Sequence, residues 1–162
     1  MGSYVPASLV RLTLFDRIFT RLGANDKILE GKSTFFVEME ECKALISHGT
    51  RRSLAILDEL GRGTATYDGF AIASGVVKYI VDKIKCLCLF STHYHMLADQ
   101  YASHPQVGFY HMAVEVEDAK EGGTQNISED TIRFLYKFAE GRAPSSFGLN
   151  VARLAGLSVS GG

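Results

Sequence analysis

Two carboxylates stand directly after an apolar run that has the length of a β-strand. Residues 53–57 read Ser-Leu-Ala-Ile-Leu and are followed by Asp58 and Glu59, as expected of a strand that is covered on both faces of a sheet. Open α/β sheets bind their ligands at the carboxyl ends of the strands. An aspartate at that edge can hold a magnesium ion, and a glutamate beside it can align and deprotonate an attacking water. Acidic residues also end core strands merely to reach solvent, so the pair alone leaves both interpretations open.

A histidine follows the next apolar run in the same way. Residues 86–90 read Cys-Leu-Cys-Leu-Phe and lead into Ser-Thr-His, which ends at His93. The apolar residues between the two runs repeat at helical spacing, namely Phe70, Ala73, Val77, Ile80 and Ile84. Because a strand-helix-strand unit is right-handed, its two strands run parallel and share one edge at their carboxyl ends. We therefore expect His93 beside Asp58 and Glu59, where it can hydrogen-bond a terminal phosphate; a surface histidine that caps the next helix is the structural alternative.

Residues 31–34, Gly-Lys-Ser-Thr, copy the end of the phosphate-binding loop G-x-x-x-x-G-K-[ST]. The match fails at its start, because the leading glycine would have to be residue 26, which is Asp26, and Glu30 would add a second negative charge beside the phosphates. The polar stretch 25–27 also interrupts any strand that could run up to it. We interpret Ser33 as a helix N-cap instead. The start of a helix still attracts phosphate through its free N–H groups and its dipole.

The spacing of apolar residues and the turn composition predict the elements that position these side chains. Residues 4–22 are dense in apolar side chains, are broken by a proline, and predict short strands and a loop. A helix capped by its first residue is predicted over residues 33–49, with one apolar face made of Phe35, Met39, Cys42 and Ile46. The glycine-rich turn at 61–64 leads into a second helix, which Thr66 or Asp68 can cap.

Two stretches in the last third of the chain alternate apolar and polar side chains. They are residues 110–116 and 132–138, and they predict an antiparallel hairpin with a long polar loop. Residues 150–157 predict a short helix. No internal repeat and no linker rich in Pro, Gly and Ser divides the sequence, so the expected fold is α/β, as one domain or part of one.

Composition and charge limit the class of protein. The 162 residues are 46% hydrophobic and 22% charged, with 17 Lys and Arg against 18 Asp and Glu, which excludes disorder, collagen and a coiled coil. The net charge of -1 leaves no positive excess for phosphate backbones, so any nucleic-acid contact needs a local patch or parts outside this sequence. The longest apolar stretches are far shorter than the roughly 18 to 20 residues of a membrane span, which predicts a soluble protein without a membrane partner.

The three cysteines predict a reducing, intracellular environment, because their number is odd and they lack the spacing of a disulfide framework. Cys86, Cys88, His93 and His95 match a zinc quartet in residue type only. Cys-x-Cys inside a strand places both sulfurs on one face, whereas structural zinc sites use turns with two to four intervening residues. We interpret these thiols as buried small hydrophobic groups.

Five stretches of the sequence together resemble one known family. They are residues 2–7 (GSYVPA), 16–24 (DRIFTRLGA), 31–35 (GKSTF), 57–69 (LDELGRGTATYDG) and 90–95 (FSTHYH). The resemblance is to the ATPase domain of MutS-type DNA mismatch repair proteins, and it runs over nearly the whole chain. The pair Tyr94-His95 and the stretches 111–113 and 134–138 are most similar to the eukaryotic mismatch-recognising subunit, which works as a heterodimer with a second MutS homologue.

The resemblance implies an ABC-type ATPase domain of the P-loop class, with ATP and Mg²⁺ as cofactors. On this basis Asp58 would bind the magnesium ion as the Walker B residue, Glu59 would activate the attacking water, and His93 would sense the γ-phosphate. Ser33 and Thr34 would lie in the loop that reaches across a dimer to the nucleotide of the other subunit. Two composite sites would then form only when two such domains meet.

The resemblance also implies that residues 1–162 are a partial MutS-type ATPase domain. The family's phosphate loop, or Walker A segment, would lie upstream of Tyr4, and the DNA-contacting domains and the C-terminal dimerisation helices are also outside this sequence. Tyr136 falls where the family places a residue near the adenine base. Ser145 stands where the family commonly has lysine, which puts the contacts of the loop 143–148 in doubt.

The implied parent protein is a DNA mismatch repair ATPase that binds mismatched DNA and uses ATP binding and hydrolysis as a clamp switch. Its expected partners are a second MutS homologue, mismatched DNA through domains outside this sequence, and a MutL-type protein. The expected location is nuclear in a eukaryote and cytoplasmic otherwise. The chain alone is expected to bind ATP weakly or not at all.

Three alternatives to a mismatch repair ATPase stay open. The leading one is a non-catalytic truncated interaction module, which would present Ser33 and its helix to a full-length MutS homologue. An ABC-type ATPase of chromosome maintenance fits residues 58–69 less well. A metal-dependent hydrolase that uses Asp58, Glu59 and His93 has no substrate pocket that the sequence identifies.

Overall fold

The computed structural model of the protein describes residues 4–23, 33–117, 131–143, 147–148, 151–152 and 155–157. The chain divides into two compact units, Met1–Leu97 and Ala98–Gly162. None of the helices in these described ranges is long and apolar enough to cross a membrane.

The first unit is built on a three-stranded parallel sheet. Its strands are β1 (Ile18–Arg21), β2 (Leu54–Asp58) and β3 (Leu87–Ser91), and β2 lies in the centre. Both β1 and β3 pair with β2 in parallel, so the carboxyl ends of all three strands meet at one edge. The predicted central parallel strand is confirmed. Within residues 4–22, where the sequence predicts several short strands, the structure forms β1 alone, because an apolar composition does not make a strand without a neighbour to pair with.

The first helix, α1 (Thr34–His48), has the two ends that the sequence predicts. The Ser33 hydroxyl accepts a hydrogen bond of 3.2 Å from the N–H of Phe36, and the chain leaves the helix at Gly49. The predicted buried face is only partly correct, since the side chains that α1 buries are Val37, Glu38, Cys42 and Leu45. The spacing of apolar residues could not assign Glu38 to this face, because its carboxylate is buried by hydrogen bonds to other segments.

The second helix, α2 (Thr66–Tyr79), continues directly into a π-helical turn, Ile80–Ile84. The prediction that a side chain of Thr66 or Asp68 caps this helix is wrong. Ala65 occupies the cap position and makes no side-chain hydrogen bond, and Asp68 lies in the first turn. The start of α2 is fixed by the backbone instead, which packs closely against the turn that precedes it. A short helix, α3 (His95–Gln100), follows β3 along the chain.

The core of the first unit lies between the sheet and helices α1 and α2. Its buried cluster consists of Cys42, Leu45, Ala55, Leu57, Leu60, Val76, Ile80 and Ile84. One face of β2 is buried, at Ala55 and Leu57, whereas the other face, at Leu54 and Ile56, is only half-buried. The predicted strand with both faces covered is therefore correct for one face only. The other face also carries Leu89, which is 55% exposed.

The second unit contains the predicted antiparallel hairpin. Its strands are β4 (Tyr110–Glu117) and β5 (Thr131–Glu140), which pair from Tyr110 with Glu140 to Glu117 with Thr131. Between two paired positions, β4 has one residue and β5 has three, at 135–137, so β5 carries a bulge. The hairpin loop, the loop at 144–146, and residues 150, 153 and 154 of the helix predicted at 150–157 fall outside the described residues, while residues 151–152 of that stretch are helical.

Candidate active site

The carboxyl ends of β2 and β3 are bound to each other by their last residues. Asp58 stands opposite Ser91 in the register of the sheet, and the Ser91 hydroxyl donates a hydrogen bond to Oδ1 of Asp58. The N–H of Glu59 donates to the Ser91 carbonyl oxygen at 3.2 Å and lies 3.3 Å from its hydroxyl. His93 follows two residues after Ser91 and is exposed. The acidic pair and the histidine are therefore on segments that leave the sheet at one edge, side by side.

Glu59 adopts a backbone conformation that a glutamate rarely takes. Its φ angle is 48°, in the left-handed region, where such a residue is strained and is often functional. The Glu59 carboxylate forms an ion pair with Arg62, and the N–H of Arg62 donates to the Glu59 carbonyl at 3.3 Å. The turn after β2 is thus held in a tight shape that keeps the carboxylate at the sheet edge.

A pocket of about 240 Å³ opens beside this turn. The residues that line it are Arg21, Gly23, Thr34, Glu38, Asp58, Glu59, Arg62 and Gly63. Among the residues that the sequence predicts for the site, Thr34, Asp58 and Glu59 meet in this pocket, and Ser33 precedes Thr34 as the cap of α1. His93 lies at the same edge without lining the pocket.

Three charged pocket residues were not predicted from the sequence, namely Arg21, Glu38 and Arg62. Arg21 and Glu38 form a buried ion pair, with 3.4 Å between Nη2 and Oε2 and side chains that are 10% and 2% exposed. A second carboxylate, that of Glu41, lies 3.4 Å from Nε of Arg21. Burying charges is unfavourable unless they are paired. The signal that could have identified Glu38 is an acidic residue one turn from Cys42 on the inward face of α1.

Tyr136 lies in the second unit, in the bulge of β5. Its φ angle is 52°, and its side chain is 83% exposed. A left-handed conformation at a bulky residue is uncommon, and bulges re-aim side chains. The hairpin therefore presents an aromatic ring to solvent. Its predicted role at an adenine base stays a prediction.

The sequence of this chain is similar to those of known proteins. The family model of MutS domain V matches residues 1–160. This chain belongs to the MutS family. It is 54% identical over 157 residues to DNA mismatch repair protein Msh6 of Gallus gallus and to that of Homo sapiens, which covers 97% of this chain and 11% of each relative. It is 47% identical over 162 residues to DNA mismatch repair protein MutS of Roseiflexus sp., which covers 99% of the chain and 14% of that relative.

MutS family membership confirms the predicted fold class. The structure is α/β, with a parallel central sheet and an antiparallel hairpin, and MutS domain V is a domain of the ATPase type. The chain spans about 11% of the length of the Msh6 proteins that it matches. The activity and partners of a whole mismatch repair protein are therefore proposals for this MutS chain.

Asp58 can serve as a single carboxylate ligand for a magnesium ion at the acidic edge of this MutS domain. Among the described residues, no group of three or more His, Cys, Asp and Glu side chains is arranged to hold a metal. Magnesium in nucleotide sites is usually bound by one or two carboxylates, with waters and phosphates as the other ligands. Asp58 is exposed and uses one oxygen for Ser91, so it can serve as such a single protein ligand.

The cysteines of the chain do not offer thiolates to a metal. Burial raises the pKa of the Cys88 thiol to about 12, and it also raises the pKa of Cys86 above its ordinary value. Burial likewise raises the pKa of Cys42 to about 12. The raised pKa values keep these three thiols protonated at neutral pH. Because zinc binds the thiolate, the cysteines are poor zinc ligands and pack as apolar side chains.

Proposed function

We propose that this MutS chain supplies the magnesium-binding and water-activating carboxylates of a nucleotide site in a mismatch repair ATPase. The parent protein would bind mismatched DNA and use ATP binding and hydrolysis to switch a clamp between states. The observation that carries the proposal is the pairing of Asp58 with Ser91 at the edge where Glu59 and His93 also emerge. That edge is where open α/β sheets place their ligands.

Each side chain at the edge has one task in the proposed reaction. Asp58 would hold Mg²⁺, which neutralises charge on the phosphates when it is bound. Glu59 would orient the attacking water and accept its proton, and its ion pair with Arg62 would hold the carboxylate until then. His93, exposed beside them, would donate a hydrogen bond to the terminal phosphate.

The start of α1 would act on a second nucleotide. Ser33 is exposed and caps α1 by accepting from the N–H of Phe36, and the dipole at a helix start favours phosphate. We propose that Ser33 and Thr34 reach the nucleotide of a second MutS homologue in a heterodimer. Such an arrangement makes hydrolysis at one site depend on the partner.

The remaining proposed contacts belong to the second unit and to the parent protein. Tyr136 would stack on the adenine base, since its ring is exposed and sp² rings stack on bases. Mismatched DNA and a MutL-type protein would be bound by the parent outside these residues. We propose a nuclear location for the parent protein, as expected if it is a eukaryotic mismatch repair protein.

The test of this function is the replacement of Glu59 by glutamine in the parent protein. We expect ATP hydrolysis to fall about a hundredfold or more, because the general base is lost, while nucleotide binding is kept. The matched control is Glu140→Gln, which removes an exposed carboxylate at the end of β5. Steady-state hydrolysis and a fluorescent-nucleotide titration measure the two quantities. Unchanged hydrolysis in Glu59→Gln would refute the proposed function.

The 162-residue chain by itself should bind ATP weakly or not at all. Its pocket holds three carboxylates, Glu38, Asp58 and Glu59, against two guanidinium groups that are already paired, so the triphosphate meets more repulsion than attraction. A fluorescent-nucleotide titration of the chain that gave micromolar affinity would contradict this expectation.

The alternative function is a non-catalytic module that pairs with a full-length MutS homologue. The exposed, capped start of α1 is the observation that favours it. Capture of an intact MutS homologue by the chain, with loss of capture in Ser33→Ala, would support the module. If the chain captures no MutS homologue and Glu59→Gln strongly lowers hydrolysis in the parent, the ATPase function is supported and the interaction module is excluded.

A further inference from the structure

The main-chain groups of Gly61 are bound on both sides by buried side chains. Its N–H donates to Oε1 of Glu38 at 2.5 Å, and its carbonyl oxygen accepts from the hydroxyl of Tyr94 at 3.1 Å. Glu38 is 1% exposed and Tyr94 is 8% exposed. A hydrogen bond to a charged acceptor is about twice as strong as a neutral one, and water cannot replace either partner at this depth.

A third contact comes from the helix that follows. Gly61 has a φ angle of +93°, and a Cβ atom added to it would lie 2.4 Å from the carbonyl oxygen of Gly69. A Cβ atom added to Gly69 would lie 2.1 Å from the carbonyl oxygen of Gly61 and 2.4 Å from the hydroxyl of Tyr94. The two backbones therefore touch, and only glycine fits at either position. The position of the Gly61 backbone is therefore fixed by two hydrogen bonds and by its contact with Gly69.

The segments that meet at Gly61 carry the proposed catalytic groups. Glu59 is two residues before Gly61, in the same tight turn. His93 is the neighbour of Tyr94, and their ring centroids are 4.4 Å apart. Glu38 lies one turn after Thr34 on α1. Glu38 and Tyr94 thus fix the turn of Glu59 to the segment of His93 and to the start of α1.

We propose that Glu38 and Tyr94 are positioning residues that set the distance between Glu59 and His93 by holding Gly61 between them. The inference rests on the proposed ATPase function and adds two residues to it. A displacement of about 1 Å at a catalytic group can lower a rate about a hundredfold. Tyr94 does not line the pocket and would act on the chemical step through Gly61 alone, whereas Glu38 lines the pocket and would act through its bond to the N–H of Gly61.

The buried charge of Glu38 has a structural reading as well, since it pairs with Arg21. A purely structural pair would stabilise the fold and would leave the chemical step unchanged once the protein is folded. The two readings therefore differ in what they predict for kcat, KM and stability, and substitutions that remove single groups can separate them.

The first variant is Tyr94→Phe in the parent protein with its MutS-family partner. It removes one hydroxyl and keeps the ring that packs at 5.9 Å on Phe70. We expect kcat for ATP hydrolysis to fall about tenfold or more, with KM and nucleotide affinity changed by less than about twofold. Tyr79→Phe, at the end of α2, is the matched control. A change in KM with kcat kept would overturn the inference.

The second series varies the acceptor for the N–H of Gly61. Glu38→Gln keeps an oxygen at this position without its charge, whereas Glu38→Ala keeps neither. We expect kcat to decrease in the order Glu, Gln, Ala among variants whose thermal unfolding shows them to be folded at the assay temperature. Equal kcat values in the wild type and in folded Glu38→Gln and Tyr94→Phe would overturn the inference.

A double variant separates this inference from the proposed function. If Tyr94 acts through Glu59, then Tyr94→Phe should lower kcat less than about twofold in a Glu59→Gln background. Full additivity of the two effects would indicate that Tyr94 acts elsewhere and would overturn the inference. If Glu59→Gln alone leaves hydrolysis unchanged, the proposed function fails. If only Glu59→Gln lowers hydrolysis, the function stands and the positioning role fails.

Discussion

The hydroxyl of Ser91 donates a hydrogen bond to a carboxylate oxygen of Asp58 where β2 and β3 end side by side. The carbonyl oxygen of the same serine accepts from the N–H of Glu59 at 3.2 Å. One residue of β3 therefore binds the carboxylate of Asp58 through its side chain and the backbone N–H of Glu59 through its carbonyl oxygen. Among the described residues, the Ser91 hydroxyl is the hydrogen-bond partner of the Asp58 carboxylate, so a substitution of Ser91 tests how much this bond orients it.

Replacing Ser91 by alanine removes the hydroxyl and leaves the pairing of β2 with β3 intact. We expect the magnesium concentration for half-maximal ATP hydrolysis by the parent protein to rise about tenfold, because Asp58 loses the bond that orients it. A magnesium titration of the hydrolysis rate measures this. Ser91→Thr, which keeps a hydroxyl, is the control. An unchanged magnesium requirement in Ser91→Ala would show that the bond has no part in metal binding.

Two glycines of the first unit should respond in opposite directions to the same substitution. Gly61→Ala places a Cβ atom 2.4 Å from a carbonyl oxygen at a φ angle of +93°, and we expect it to lower the free energy of unfolding by about 3 kcal/mol. Gly75→Ala lies inside α2, where nothing is within 4 Å of the added atom. It should raise the free energy of unfolding by about 0.5 to 1 kcal/mol.

Urea unfolding of both glycine variants measures these changes. The comparison is informative because both variants add one methyl group to the same unit. A loss of stability in Gly75→Ala that equals the loss in Gly61→Ala would mean that the close approach of Gly61 to Gly69 is not what makes alanine unfavourable.

Local signals in the sequence were sufficient for most of the elements and for part of the site. The ends of α1 were predictable because Ser33 and Gly49 are a cap and a breaker by their own chemistry. The neighbourhood of Asp58 and His93 was predictable because a strand-helix-strand unit has one hand. Both inferences use residue types and spacing and need no knowledge of packing.

The rest of the site depends on packing between distant segments. Glu38 and Gly61 are 23 residues apart and Tyr94 and Gly61 are 33 residues apart, so no local pattern predicts either hydrogen bond. The apolar spacing of α1 failed for the same reason, since Glu38 is buried by a partner that lies on another element. Ala65 starts α2 without a side-chain cap because Gly69 and Gly61 already fix the turn.

The thiols should be slow to react in the folded protein. Burial raises the pKa values of Cys42 and Cys88 to about 12, so about one in ten thousand of these groups is a thiolate at pH 8. We expect an alkylating reagent at pH 8 to label both residues much more slowly in native protein than in urea. Mass spectrometry of labelled peptides measures the rates. Equal labelling of Cys42 in both states would contradict its burial against the sheet.

Asp16 connects the start of β1 to the turn before β2. Its Oδ2 accepts from the Thr50 hydroxyl at 2.5 Å, and its Oδ1 accepts from the Ser53 hydroxyl at 3.0 Å. The bond from Thr50 is the main cause that lowers the pKa of Asp16 below its ordinary value. Burial opposes it, and the bond from Ser53, a backbone hydrogen bond of Arg17 and the charge of Arg52 lower the pKa further. Because the folded pKa lies below the unfolded one, the carboxylate stabilises the fold above about pH 4.

That stabilisation is lost as the pH falls through the lowered pKa of Asp16. Asp16→Asn keeps an oxygen acceptor and removes the titration, so between about pH 5 and pH 3 its free energy of unfolding should fall less steeply than that of the wild type. Thr50→Val removes the main hydrogen-bond donor to Asp16, so its free energy of unfolding should also fall less steeply with decreasing pH than that of the wild type. Urea unfolding at a series of pH values measures all three. Parallel profiles would mean that the hydrogen bonds of Asp16 do not contribute to acid sensitivity.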